Sequence, residues 1–292
     1  MCQPITSHQT TATVLFNQQL TERQLLLRLD APKAAEEAEP GHFIHLNCHP
    51  NLTLPRPFSI LDADPKEGTL DIFYQVVGEG TTHMAGWQPG LQTTLLGPIG
   101  HGFKRPDPTR HALLIAGGIG YAPLDFFARR LRQWSIETTL LLGLEADPPF
   151  ELMSASAPLS FEATENPLAL RRLEDLQIPS RLSSLQNRPG FFPGYVTQLA
   201  TEILQNMSEE KRRNTDLYTC GPTPMMKAAA QVATEFNLGG QASLEESMAC
   251  GFGGCAGCVA PIRESDESWN YRRVCTDGPV FSLSEVMWDK VG

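Results

Sequence analysis

The chain has 292 residues, 41% hydrophobic and 19% charged, enough apolar material for more than one core at a length where two or three domains are the default. A formal net charge of -10 excludes the basic footprint of a nucleic-acid binder. No apolar run approaches the ~18 residues of a membrane helix, and the opening MCQPITSHQT lacks a charged region followed by an apolar run, so the sequence predicts a soluble, cytoplasmic chain with no export signal.

Residues 1–106 read as short strands. TATVLFNQQL, RQLLLRLD, HFIHLNC, PFSILDA, TLDIFYQVV and TTLLGP are rich in Val, Ile, Leu, Thr and aromatics, and segments such as APKAAEEAEPG, DADPKEG and GWQPG separate them. Strands without an intervening helix predict a small antiparallel β-barrel. RPFSI opens one of them: the planar fork of Arg56 suits a pyrophosphate, and Ser59 stands where it can reach a flavin edge. FYQVVGEGTTHM adds an aromatic for stacking and a Gly80-Thr81 turn with amides for phosphate. GHFIHLNCHP places His42, His45, Cys48 and His49 close together and invites a zinc hypothesis. Alternate strand residues point to opposite faces, however, so His42 and His45 diverge and the convergence zinc requires is missing.

The pattern changes over 107–240. HALLIAGG is a buried strand ending in glycines, YAPLDFFARRLRQW an amphipathic helix with Pro123 in its first turn, and ETTLLLGL another apolar strand. A helix around YVTQLATEILQNM, the strand DLYTCGP, the helix TPMMKAAAQVATEF and the strand QASLEE follow. Strands alternating with helices predict an α/β domain on a parallel sheet. IAGGIGYAPL, where Pro123 replaces the third glycine of the dinucleotide fingerprint, offers amides and a helix start to phosphate or nicotinamide. Cys220, followed by Gly221 and Pro222, ends a parallel strand where ligands bind in open sheets and can contact a nicotinamide. The proline-rich stretch 145–190 has no assignable periodicity.

From 241 to 292 the chain becomes a short cysteine- and glycine-rich domain. SLEESMACGFGGCAGCVAPI spaces Cys250, Cys255 and Cys258 as C-x4-C-x2-C, the plant-type 2Fe-2S spacing, and Cys275 in RRVCTDGPVF supplies a distant fourth thiolate. Glycines between them let the backbone wrap closely and aim amides at sulfur. A structural zinc site, the competing reading, more often pairs two C-x2-C units.

Taken in order, RPFSI, GEGT, LGPIGHGF, IAGGIGYAPL, YTCGPTPMMKA, ESMACGFGGCAGCV and VCTDGPVF resemble the electron-transfer subunit of NAD-dependent dihydroorotate dehydrogenase, a branch of the ferredoxin-NADP reductase superfamily. The resemblance implies a multi-domain chain: a flavin-binding barrel, a nicotinamide domain and a C-terminal 2Fe-2S domain. It implies FAD on Arg56, Pro57, Phe58 and Ser59, with Phe73, Tyr74 and Gln75 along the flavin and Gly80, Thr81 and Thr82 at its phosphates. It implies NAD at Gly117, Gly118, Gly120, Cys220, Gly221 and Pro222, with Cys220 and Ser59 nearest the chemistry, and the cluster on Cys250, Cys255, Cys258 and Cys275.

The implied activity is electron relay in pyrimidine biosynthesis. An FMN-containing catalytic subunit, held in a hetero-oligomer, would oxidise dihydroorotate and pass electrons through the cluster and FAD to NAD. An exposed apolar patch around Phe252 and Val259 is expected to dock such a partner. The alternatives are an NAD(P)H-ferredoxin-type oxidoreductase subunit and a non-catalytic iron-sulfur redox sensor. Where many relatives carry a D-D-G-S-x-G-like run, this chain reads SSLQNRPGFFPGYV, a departure that bears on nucleotide preference and partner.

Overall fold

The computed structural model describes residues 8–291; the first seven, which carry Cys2 and most of the segment in which no export signal is read, lie outside them. Six strands form a closed barrel: β1 (His8–Gln19), β2 (Gln24–Asp30), β3 (Phe43–Leu46), β4 (Arg56–Asp64), β5 (Thr69–Gln75) and β6 (Gln92–Ile99), in the order β1-β2-β5-β4-β3-β6. The pairs are antiparallel, as the sequence predicts. Leu27 lies opposite Ile72 and Leu29 opposite Leu70, and these side chains are fully buried. Closure leaves no sheet edge to pair elsewhere.

Two short helices interrupt the run of strands, against the expectation of strands alone. α1 (Pro32–Glu37) forms because Pro32 pre-sets the first turn and the Lys-Ala-Ala-Glu-Glu that follows favours helix; it buries Ala34 and Ala35. α2 (Glu79–Ala85) takes up GEGTTHM, where a turn is expected from sequence.

The α/β region contains β7 (His111–Gly117), a 3-10 turn over Gly118–Gly120, α3 (Tyr121–Gln133), β8 (Thr138–Gly143), β9 (Leu152–Ser154), β10 (Leu168–Leu170), α4 (Arg171–Glu174), β11 (Ser180–Ser184), β12 (Phe192–Pro193), α5 (Val196–Asn206), α6 (Glu209–Arg213), β13 (Thr215–Cys220), α7 (Thr223–Glu235) and β14 (Gly239–Ser243). The sheet order is β12-β11-β8-β7-β13-β14, closed by the short late strand β17 (Val280–Ser282), with the pairs from β12 to β14 parallel. Every residue of β7 is buried, as a central parallel strand requires. The chain runs outward from β7 to β8 and β11, then returns to the other side of β7 as β13. The topological switch point therefore lies between β7 and β13.

The stretch 145–190 buries a few apolar residues, among them Leu170, Leu173 and Ile178, and adds ion pairs to them. Asp125 on α3 is fully buried and accepts from Arg129 on its own helix and from Arg172, each at 2.9 Å. Buried Arg181 of β11 donates through Nε to Glu162 at 2.8 Å. Loss of Glu162 would leave the buried Arg181 without its carboxylate, and loss of both arginines would leave the buried Asp125 without a cation, each a costly change.

The remaining elements are β15 (Val259–Arg263), β16 (Trp269–Arg273), α8 (Val274–Asp277) and β17 (Val280–Ser282). Contacts divide the chain into two compact units: residues up to Phe103 with Leu244–Val280, and Lys104–Ser243 with the residues from Phe281 on. The cysteine-rich segment thus shares a unit with the barrel. LGPIGHGF supplies its seat: the His101 amide donates to Gly278 O at 2.6 Å, and a Cβ on Gly100 would stand 2.5 Å from Pro279 Cδ.

Candidate functional site

The four clustered cysteines are brought together by a hairpin. β15 and β16 pair antiparallel with Val259 opposite Arg273, so Cys258, just before β15, meets the chain just after β16. The Val274 amide donates to Cys258 O at 2.7 Å, and Cys275 follows at once. The long sequence gap before the fourth cysteine is therefore that hairpin.

The sulfurs form two pairs. Cys255 acts on Cys250 to lower its pKa, and Cys258 acts on Cys275 to raise its pKa, so the four interact two and two. Cys258 and Cys275 are buried, whereas Cys250 is half-exposed and Cys255 exposed. Burial alone would raise the Cys250 pKa, but amides of Phe252, Cys255 and Gly254 and the Cys255 thiol bring it down to about 7. At Cys275 burial and the contact with Cys258 dominate, and the thiol is pushed up to about 12. Among the described residues no three His, Cys, Asp or Glu side chains gather around one point as a mononuclear site needs. Two thiolate pairs on an amide-rich loop instead suit a binuclear iron-sulfur cluster, whose irons each take a pair.

Ala256, between Cys255 and Gly257, adopts φ 54, a left-handed conformation that costs an L-residue roughly 1–2 kcal/mol. Phe252 is 59% exposed, and on β16 Trp269 and Tyr271 are exposed and meet edge to face at 5.4 Å. The apolar exposure expected near Phe252 is present, and β16 adds an aromatic pair that alternation along the hairpin could have signalled.

On the barrel, β4 begins with Arg56, Pro57, Phe58 and Ser59, and β3 runs beside it with Leu46, His45, Ile44 and Phe43 opposite them in turn. Phe58 meets Tyr74 edge to face at 6.0 Å. Phe73 and Tyr74 are buried, Gln75 is half-buried, and the Tyr74 hydroxyl donates to Asn17 at 3.1 Å. Arg56 Nη1 donates to Leu54 O at 2.8 Å. Gly80 brings α2 against this strand: a Cβ there would stand 3.4 Å from Arg56 Cγ and 3.3 Å from Cys48 Cβ. Thr81 Oγ1 accepts from the amides of Val77 (2.9 Å) and Gly78 (3.2 Å), and Thr82 donates to Gly78 O at 3.0 Å. Arg56 and the Gly80-Thr81-Thr82 segment are thus neighbours, an arrangement suited to a pyrophosphate beside a flavin.

His42, His45, Cys48 and His49 take separate surroundings. His49 stacks on His83 at 4.1 Å, Cys48 Sγ donates to Leu46 O at 3.5 Å, and burial lowers the His42 pKa to about 4. His45 is 1% exposed, and neither ring nitrogen has a hydrogen-bond partner. An unsatisfied buried polar group costs on the order of 1–3 kcal/mol.

In the α/β unit, Gly117, Gly118 and Gly120 meet Cys220-Gly221-Pro222 at the switch point. Cys220 lies opposite Ala116 and is fully buried. A Cβ on Gly120 would stand 2.4 Å from the carbonyl carbon and oxygen of Cys220, and one on Gly117 2.5 Å from Met225 Sδ. Close chain-on-chain packing demands glycine at 120, whereas Gly117 faces side-chain atoms of Met225 and Pro222. Gly118, at φ 52, has open space beside it. The departing segment 183–196 ends β11 and enters α5, where Arg188 Nη1 pairs with Asp147 and Nη2 donates to Gln186, at 2.9 and 2.8 Å.

Two family models match the chain: the iron-sulfur cluster binding domain of dihydroorotate dehydrogenase B over residues 245–287, and an oxidoreductase NAD-binding domain over 114–231. The chain is similar to the dihydroorotate dehydrogenase B (NAD(+)) electron transfer subunit of Shouchella clausii, at 31% identity covering 94% of this chain and 96% of that one. It is also similar to that of Bacillus velezensis, at 33% identity covering 94% and 97%. Among solved structures, the NADH-dependent reduced ferredoxin-NADP oxidoreductase shares its fold with a TM-score of 0.78 at 23% identity, over 96% of this chain and 90% of that one. A ferredoxin NADP+ reductase from Neisseria gonorrhoeae, solved with FAD and NADP, has a TM-score of 0.57 at 17% identity, over 78% and 91%. Among the described residues no helix is long and apolar enough to cross a membrane.

Proposed function

The chain belongs to the family of dihydroorotate dehydrogenase B electron transfer subunits, an oxidoreductase family, and from that membership we propose that it relays electrons from a dihydroorotate-oxidising FMN partner to NAD in pyrimidine biosynthesis. The observation that carries this reading is the β15–β16 hairpin, which brings Cys275 back beside Cys258 and the glycine-rich loop of Cys250 and Cys255 in the same compact unit as the barrel. Bound there and on the barrel, a 2Fe-2S cluster and FAD would supply one-electron carriage and hydride delivery respectively.

The chain's own residues hold and orient these groups. Cys250, Cys255, Cys258 and Cys275 ligate the cluster, and the loop amides on Cys250 stabilise its thiolate form. Arg56, with Gly80, Thr81 and Thr82, receives the pyrophosphate of FAD. Pro57, Phe58, Ser59, Phe73, Tyr74 and Gln75 line the flavin, Ser59 near its reactive edge. Gly117, Gly118, Gly120, Cys220, Gly221 and Pro222 form the nicotinamide end of the switch point. In this reading 1–106 serves FAD, 107–240 NAD and 241–292 the cluster. The overall reaction balances: dihydroorotate gives up two electrons and two protons to become orotate, NAD+ takes both electrons and one proton as hydride, and one proton is released.

The test is anaerobic purification of the tagged chain from its own cells, with identification of what co-elutes. An FMN protein that oxidises dihydroorotate, together with iron and FAD on this chain, supports the proposal. A ferredoxin as redox partner would favour the NAD(P)H-ferredoxin-type alternative, and flavin that NADH does not bleach would favour a redox sensor.

A further inference from the structure

The two loops that leave the sheet after β8 and β11 are tied together by charge, and the relay as described does not use them. β7, β8 and β11 lie side by side and parallel, with Gly117 opposite Gly143 and Gly143 opposite Ser183. Their carboxyl ends share one edge of the sheet, and at ~4.8 Å per strand the end of β11 stands roughly 10 Å from that of β7. On the other flank, past β13, the end of β14 runs directly into buried Leu244. On the β8 flank, Glu145, Ala146 and Asp147 after β8 and Leu185, Gln186 and Asn187 after β11 are exposed. A dinucleotide with its nicotinamide at the switch point has open, polar ground there for its adenosine half.

Three contacts join the loops. Gln186 Nε2 donates to Glu145 O at 3.1 Å, Arg188 Nη2 donates to Gln186 Oε1 at 2.8 Å, and Arg188 Nη1 pairs with Asp147 Oδ1 at 2.9 Å. The two members of the ion pair differ in access: the Arg188 side chain is 20% exposed and that of Asp147 84%. Among the described residues Asp147 is the one carboxylate paired with Arg188, whose buried Nε has no partner. An exposed carboxylate with a single guanidinium contact keeps lone pairs to spare.

The chemistry of this pair is that of a nucleotide selector. A carboxylate past a strand of an open parallel sheet accepts from a ribose 2′-hydroxyl, whereas an arginine there receives a 2′-phosphate. Here the two stand together and satisfy each other. Glu145, two residues before Asp147, sets a second carboxylate against the one cation of the two loops, a balance that repels phosphate.

We propose that the Asp147–Arg188 pair sets the choice between NAD and NADP, a role that rests on the reading of the switch point as the nicotinamide site. Asp147 accepts from the 2′-hydroxyl of the adenosine ribose, and by holding Arg188 it withholds that cation from a 2′-phosphate.

The test follows anaerobic flavin bleaching by NADH and by NADPH in the full chain carrying cluster and flavin, for wild type, Asp147→Ser and Asp147→Ser with Arg188→Gln. Wild type is expected to react faster with NADH. In Asp147→Ser the second-order rate constant with NADPH is expected to rise about tenfold, the order of one charge-assisted hydrogen bond, while that with NADH falls. Adding Arg188→Gln is expected to abolish the rise. A rate constant with NADPH that Asp147→Ser leaves unchanged, or a rise that survives Arg188→Gln, overturns the inference. A measurement on wild type alone stands beside these: ADP is expected to compete with NADH at lower concentration than adenosine 2′,5′-bisphosphate, and the reverse order overturns the inference. Wild-type flavin that neither NADH nor NADPH bleaches overturns the nicotinamide reading itself, and this inference with it.

Discussion

Two glycine-rich loops, 250–258 and 117–120, look alike as strings and use glycine for opposite ends. In the cysteine loop, Gly251 has a positive φ and lies over the face of the buried His45 imidazole, beside the gathered cysteines. The backbone there bends left-handed past a buried side chain. In the α/β loop, Gly120 has an ordinary φ and is a glycine because the Cys220 carbonyl leaves no space for a Cβ. The backbone there is shaped around the chain itself. Glycine enrichment alone thus does not distinguish a left-handed turn from a close packing contact; the φ of each glycine and what its missing Cβ would meet do.

The comparison breaks most sharply at the thiols. Cys275→Ser is expected to reduce cluster iron to background while flavin absorbance persists, read by iron assay and visible spectrum; retained iron would remove Cys275 from the ligand set. Next comes Gly120→Ala. Its Cβ meets rigid backbone, so a loss near the upper end of about 1–3 kcal/mol is expected in denaturant unfolding, with little change in iron content. Gly251→Ala should behave in the reverse sense: strain at its left-handed φ of roughly 1 kcal/mol, with iron retention hit harder than the melting temperature.

A pH titration sharpens the α/β side. Burial lowers the His111 pKa from the usual 6.5 to about 4, with Lys211 acting in the same sense and Glu137 opposing. Its ring nitrogens contact Thr215 and Thr139 hydroxyls at 3.2 and 3.0 Å. The unfolded chain takes up this proton first, so stability is fully present above about pH 6.5 and is lost as pH falls toward 4. Unfolding free energies across that window should show a shallower slope in His111→Gln. The smallest effect is expected from Ala256→Gly, which relieves a left-handed alanine and should change stability by under ~1 kcal/mol while keeping the cluster.

Strong periodicity and chemical spacing made much of this molecule legible in its sequence. The six barrel strands, the apolar run of β7 and the C-x4-C-x2-C triplet each carry their signal within a short window. The helix Pro32–Glu37 was hidden only because a proline and a run of charged residues also read as a loop. The stretch 145–190 was opaque for a deeper reason. Its order combines isolated buried residues such as Leu170, Leu173 and Ile178 with ion pairs, Arg172 to Asp125 and Arg181 to Glu162, that no short sequence window contains. The burial of His45 was equally hidden: as a strand residue it is ordinary, and only the loop folded onto its ring face two hundred residues later covers it.

The seating of Gly278-Pro279 on the loop around Gly100 carries a consequence for how the protein is made. The two halves of that unit are separated along the chain by the whole of Lys104–Ser243. At ribosomal speeds of about 5–20 residues per second, the finished barrel waits on the order of ten seconds for the strand pair that covers its rim. Cluster insertion therefore belongs to the last moments of synthesis or to the time after release. A ribosome stalled before Cys275 would display a barrel with its seat bare and three thiols lacking their closing partner.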